Sequence, residues 1–171
     1  MELPENSSLT LGLTEEGLPQ YSREPSHAVA CFLGFDPAHQ RLVEIRRFGP
    51  ETILGIFGTR TLRERLALAE RLYHPGLAVV VESGTDPGGC LYVATEFIDG
   101  ENFLEYLKRV PPLPRQLGIH LALQLAEVAG YLTDYPRLLA TIRLDDFVVC
   151  LERGHHLRLR LLDPGLERDD L

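Results

Sequence analysis

The feature that most constrains the fold is a change of pattern at Asp99-Gly100. Before it, short apolar runs alternate with turn signals, as in strands; after it, apolar residues recur at helical spacing over longer stretches. A chain of 171 residues divided in this way has room for two small units, each with its own core. In the first part, Ala28 to Phe35 reads as a strand, Asp36–Gln40 as a turn and Arg41–Phe48 as a second strand. A helix is predicted from about Arg60 to Tyr73, with Leu62, Leu66, Ala69 and Leu72 near helical spacing and His74-Pro75-Gly76 as its stop. Leu77–Glu82 and Cys90–Glu96 read as strands joined by Ser-Gly-Thr-Asp-Pro-Gly-Gly, a strong hairpin signal. Residues 1–17 are polar and contain glycine, and are expected to form a flexible lead-in.

The second part opens with a short amphipathic helix, Phe103–Arg109, closed by Val-Pro-Pro-Leu-Pro. A long helix is predicted over Arg115–Thr133. Its one internal polar stripe is His120, Gln124 and Glu127, and the rest of its circumference is apolar, so it is expected to be buried on most sides. Phe147–Leu151 and Leu157–Leu162 read as a final hairpin around Glu152-Arg-Gly-His-His156. His155 and His156 point to opposite faces of a strand, so they read as a hairpin tip rather than a metal site.

Composition excludes several classes. The net charge of −8, with Arg spread along the chain, does not suit a general nucleic-acid binder. Cys31, Cys90 and Cys150 are far apart and lack metal-ligand spacing, which reads as buried reduced thiols in a cytoplasmic protein. No signal peptide and no apolar run near the roughly 20 residues of a membrane span is found. Of the 17 basic residues, Lys108 alone is lysine, and Asn occurs only at Asn6 and Asn102. A GC-rich genome accounts for such a bias, but chemistry that needs Lys or Asn has few places to occur.

Three segments carry a resemblance. His74-Pro75-Gly76-Leu77, Leu91-Tyr-Val-Ala-Thr-Glu-Phe-Ile-Asp-Gly-Glu101 and Leu161-Leu-Asp-Pro-Gly-Leu166 occur in order. They resemble, respectively, the segment after helix C, the strand 5–hinge segment and the Asp-Phe-Gly segment of bacterial Ser/Thr protein kinases. The resemblance runs from about residue 20 to the C-terminus. It implies an α+β, protein kinase-like fold: an antiparallel N-lobe sheet with one helix over 18–98, then a truncated helical C-lobe carrying a β-hairpin over 99–171, ending just after Asp-Pro-Gly.

Kinase chemistry is positioning plus stabilisation of charge on the phosphoryl group, so the resemblance assigns each part a place. The Gly-rich loop matches Arg23-Glu-Pro-Ser-His-Ala28, which has no Gly. The strand-3 Lys matches Arg46, and the helix-C Glu falls at Arg65, with Glu64 reached by a one-residue shift and Glu70 more than a turn beyond. The catalytic loop lies in Leu138–Phe147 without His-Arg-Asp; the base falls at Ile142 and the metal-holding Asn at Phe147. Asp145 or Asp146 reads as a turn or helix cap, or as a recruited base. Asp163 reads as a turn residue or a retained magnesium ligand, and Pro164 stands in place of the movable Phe. Thr95 takes the gatekeeper place, and backbone groups at Glu96 and Ile98 would hold an adenine.

The sequence therefore reads as a catalytically impaired, pseudokinase-type binding or regulatory module in signalling, with no assigned cofactor. One alternative is a divergent ATP-dependent Ser/Thr kinase or phosphotransferase that uses Arg46 toward the nucleotide, Asp163 for magnesium and Asp145 or Asp146 as a recruited base. Another is a nucleotide sensor without turnover. The apolar face of the 115–133 helix implies a cover, either a protein partner or the further helices of a longer polypeptide of which this is a fragment.

Overall fold

A computed structural model describes residues 3–4, 7, 9–11, 30–49, 58–140, 142–152 and 156–162. It divides into two compact units, the first holding 79–97 and the chain up to residue 72, the second holding 73–78 and the chain from residue 98. The sequence reading placed 73–78 in the N-lobe. Instead His74 stacks on Tyr131, with ring centroids 4.9 Å apart, and the Ala78 N–H donates to the Leu161 carbonyl.

The first unit is a five-stranded antiparallel sheet in the order β1-β2-β3-β5-β4. Its strands are β1 (Thr10–Leu11), β2 (Ala30–Asp36), β3 (Arg41–Phe48), β4 (Val80–Thr85) and β5 (Leu91–Glu96). The β2–β3 turn is fixed by the buried Asp36 carboxylate, which accepts from the Ala38 and His39 N–H groups, from His39 Nδ1 and from Arg41 Nε. Burial pushes the Asp36 carboxyl up, but these donors outweigh it and hold it below the usual range.

Alternation along β3 and β5 divides the sheet into two faces. Helix α1 (Gly58–Ala69) covers one through Leu62, Leu66 and Ala69, which pack on Phe48, Leu91 and Val93. On the other face Val43, Ile45, Tyr92 and Ala94 cluster with Leu9. The expected flexible lead-in is thus tied to the sheet at Leu9 and, through its backbone, at Thr10–Leu11.

Two boundaries differ from expectation. Helix α1 stops at Ala69 rather than Tyr73, because after Glu70, whose N–H still bonds four residues back to Leu66, the N–H groups bond three residues back, Arg71 to Leu68 and Leu72 to Ala69, and tighten the chain into a turn. Strand β4 starts at Val80 rather than Leu77, because Leu77 bridges to Leu161 instead. The hairpin tip narrows to Asp86–Cys90, since Ser83, Gly84 and Thr85 remain paired in β4.

In the second unit, β6 (Gly100–Asn102), β7 (Phe147–Glu152) and β8 (His156–Leu161) form a three-stranded sheet in that order. Asn102 caps α2 (Phe103–Arg109), its Oδ1 accepting from the Leu104 and Glu105 N–H groups. Helix α3 spans Arg115–Tyr131, passes into a tight 3-10 turn at Leu132–Asp134 and is followed by the single-turn α4 (Pro136–Leu139).

Helix α3 is not buried on most sides within the described residues. Its buried line is Leu121, Gln124 and Val128, while Ile119 is 51% and Leu123 58% exposed. Gln124, expected on the polar stripe, is buried because its amide serves β8: Oε1 accepts from the Leu159 N–H at 2.9 Å and Nε2 donates to the Leu157 carbonyl at 3.2 Å. Among the described residues no helix is long and apolar enough to cross a membrane. Cys31, Cys90 and Cys150 are not joined in disulfides, the last two being buried and Cys31 half-buried.

Candidate functional site

In the first unit, β3 sets Arg46 two residues before Phe48, so both project to the face that α1 covers. Arg46 is buried, and its Nε lies 3.9 Å from Glu44 Oε1. The same Glu44 oxygen accepts from the Cys31 thiol at 3.6 Å. On α1 the inward residue is Arg65, buried between the core positions Leu62, Leu66 and Ala69, whereas Glu64 is exposed. The one-residue shift that would offer Glu64 is therefore not taken. Glu70 lies past the helix end and accepts from Ser83 Oγ at 2.7 Å. The elements that would carry an ammonium–carboxylate pair thus each present a guanidinium.

Thr95 is buried in β5, paired with Glu44 of β3 and Val80 of β4. Glu96 is held to Val79 twice, its N–H donating to the Val79 carbonyl and its Oε1 accepting from the Val79 N–H.

In the second unit, Ile98 has a buried side chain. A 3-10 turn, Leu144–Asp146, carries the two acids into β7. Asp146 is buried, and its Oδ2 accepts from the Arg143 N–H at 2.6 Å, closing the turn as a cap; its carbonyl accepts from the Leu162 N–H. Asp145 Oδ1 lies 3.4 Å from Arg143 Nε, and its carbonyl accepts from Asn102 Nδ2 at 2.9 Å. Sequence reasoning missed Asn102, whose Oδ1 caps α2, although an Asn directly before a helical apolar pattern is a capping signal. Ile142 and Phe147 line an open, mostly apolar cavity of about 370 Å³ together with Leu125, Ala129, Leu139 and Leu144.

Asp163, Pro164, Gly165, His155 and the Arg23–Ala28 stretch lie outside the described residues. Among the described residues no three His, Cys, Asp or Glu side chains converge as a metal-binding group. The structure places Asp145 and Asp146 together in one turn. Arg46, Thr95 and Glu96 lie on adjacent strands of the first sheet, with Thr95 and Arg46 on the same face.

No protein-family model matches the chain, and no curated protein matches it. Solved structures do. Rad53 residues 1–466 in complex with AMP-PNP superposes with a TM-score of 0.68 at 12% identity, over 93% of this chain and 38% of that one. The kinase domain of PknI from Mycobacterium tuberculosis superposes with a TM-score of 0.62 at 20% identity, over 82% of this chain and 56% of that one. The chain thus spans less than two thirds of either relative. The element order, the two sheets and these superpositions together give the chain a protein kinase-like fold.

Proposed function

We propose that the chain is a kinase-fold module without phosphotransfer, acting as a binding or regulatory element in signalling. The observation that carries this reading is the cavity around Ile142 and Phe147. Proton abstraction needs a positioned acid or base, and magnesium needs ordered oxygen ligands. The two positions assigned to those tasks are apolar, and apart from Arg143 the residues that line the cavity with them are apolar too. Asp146, the nearest substitute, has a carboxylate oxygen committed to the Arg143 N–H. These apolar positions support a module that does not hold a magnesium-bound nucleotide for transfer, and no reaction step is assigned to them. Arg46 and Arg65 support the same reading, since a planar guanidinium does not reproduce the point charge of an ammonium.

As a binding module the chain would work through a protein partner, or further helices of a longer polypeptide, on the outward face of α3 where Ile119 and Leu123 are exposed. The reading is tested by thermal denaturation with ATP, with and without Mg²⁺, alongside transfer of labelled γ-phosphate. The expected result is no magnesium-dependent stabilisation and no transfer. A magnesium-dependent shift with transfer abolished by Asp163→Ala would overturn the reading in favour of a divergent kinase.

A second reading, a nucleotide sensor without turnover, is favoured by one observation. Among the described residues, the Ile98 backbone makes no hydrogen bond, which leaves its donor and acceptor available to an adenine edge. A magnesium-independent shift with ATP would select this reading.

A further inference from the structure

We propose that Glu44 is a built-in counter-anion: its carboxylate takes the Arg46 guanidinium and keeps the phosphates of a nucleotide away from it. The inference rests on the proposed function, a module that does not hold a nucleotide for transfer, and names the residue in the first unit that opposes binding.

Alternation along β3 puts Glu44 two residues before Arg46 and therefore on the same face of the sheet. Directly paired residues share a face as well, so Thr95 of β5, opposite Glu44, belongs to it. The kinase resemblance assigns Arg46 to the phosphates and Thr95 to the gatekeeper place. Glu44 adds a carboxylate beside both positions.

That carboxylate is turned toward Arg46. Its Oε1 lies 3.9 Å from Arg46 Nε and accepts from the Cys31 thiol at 3.6 Å. The side chains of Glu44 and Arg46 are 14% and 8% exposed, so solvent screens the pair little. The buried carboxylates of Asp36 and Asp86 are held elsewhere, by Arg41 and Arg47. On α1 the inward residue is Arg65, a second guanidinium, and Glu64 is exposed. Glu44 is thus the acid that shares a face with Arg46.

Two consequences follow for an anionic ligand. To reach Arg46 it must compete with a carboxylate that the strand holds permanently at hand. It must also bring its own negative charge beside that of Glu44 in a weakly screened place, where like charges repel strongly. A nucleoside triphosphate carries several negative charges and is opposed most. An uncharged nucleoside is opposed least.

The test is titration calorimetry of the full chain and of Glu44→Gln with ATP, without Mg²⁺, and with adenosine. The glutamine keeps the size and an acceptor oxygen and removes the charge. Glu44→Gln is expected to bind ATP at least about ten-fold more tightly than the unaltered chain, the scale of a unit charge removed from beside an anion at low screening. Adenosine affinity is expected to be the same for both chains. Adding Arg46→Gln to Glu44→Gln is expected to abolish the gain. If neither Glu44→Gln nor Glu44→Ala, both folded by circular dichroism, gains affinity for ATP, the role of Glu44 is overturned while the proposed function stands. An equal gain for ATP and adenosine, or one that survives Arg46→Gln, would also overturn it, since space rather than charge would then be at work. Failure of both single variants to fold would do the same, by making Glu44 a structural residue. Transfer of γ-phosphate by the unaltered chain would overturn the proposed function itself.

Discussion

Asp86→Ala is expected to destabilise the first unit by about 2–4 kcal/mol at pH 7. The carboxylate is 3% exposed and closes the β4–β5 hairpin, accepting from Arg47 Nε at 2.6 Å and from the Cys90 N–H at 2.8 Å. Removing one partner of a buried ion pair costs about 3–5 kcal/mol. The Arg47 side chain is 27% exposed, so water re-solvates part of the guanidinium and lowers that figure. The Cys90 N–H has no such outlet, and an orphaned buried donor costs about 1–3 kcal/mol. At about 2–4 °C per kcal/mol for a chain of this size, the melting temperature should fall by roughly 5–15 °C.

The pH dependence gives the sharper test. Burial pushes the Asp86 carboxyl up, but the Arg47 guanidinium and the N–H groups of Cys90 and Gly88 outweigh it and hold it below the usual carboxylate range. A group whose folded value is depressed contributes fully above its unfolded value, about 3.9, and loses that contribution as pH falls through the folded one. The gap between native chain and variant should therefore be flat from about pH 5 to 8 and shrink below about pH 4. Urea melts followed by circular dichroism measure it, since the chain has no Trp to report by fluorescence. A gap below about 1 kcal/mol at pH 7, or one unchanged at about pH 3, would refute the argument.

Two further outcomes are expected from stability measurements. Gln124→Ala should cost the second unit about 2–4 kcal/mol, because it strands the buried Leu159 N–H and opens space beside β8. Gln124→Glu, which keeps the acceptor but loses the donor to Leu157, should fall between the two in urea midpoint. Gln40→Gly should raise stability by about 0.5–1 kcal/mol, since Gln40 sits at φ 50°, where a side chain is strained. A lower melting temperature for Gln40→Gly would show that the turn needs the side chain more than the relief.

Local signals were legible wherever the partners of a segment lie close in sequence. The turn after Asp36 and the bounds of Arg41–Phe48 and Phe103–Arg109 follow from alternation, a turn residue and a cap that lie within each segment. Elements whose partners are distant moved. Leu77 left its predicted strand for Leu161, and the segment from Tyr73 to Ala78 joined the second unit. Gln124 became a core residue because β8, more than thirty residues later, presents an N–H and a carbonyl to it. Leu9, in a stretch whose composition suggests a loose end, is buried because Val43, Ile45, Tyr92 and Ala94 together need a cover.

The sequence by itself determined where lysine and asparagine stand: one lysine, at Lys108, and no asparagine after Asn102, wherever an alignment is drawn. It also determined the strand-rich and helical halves and the order of the three kinase-like segments. Only the tertiary structure decided that Arg65 rather than Glu64 faces the sheet, that Asp146 closes its own turn, and that Ile142 and Phe147 share an apolar cavity. The physical reason is that residue types are fixed by the chain, whereas burial and hydrogen-bond commitment depend on what distant segments bring to the same place.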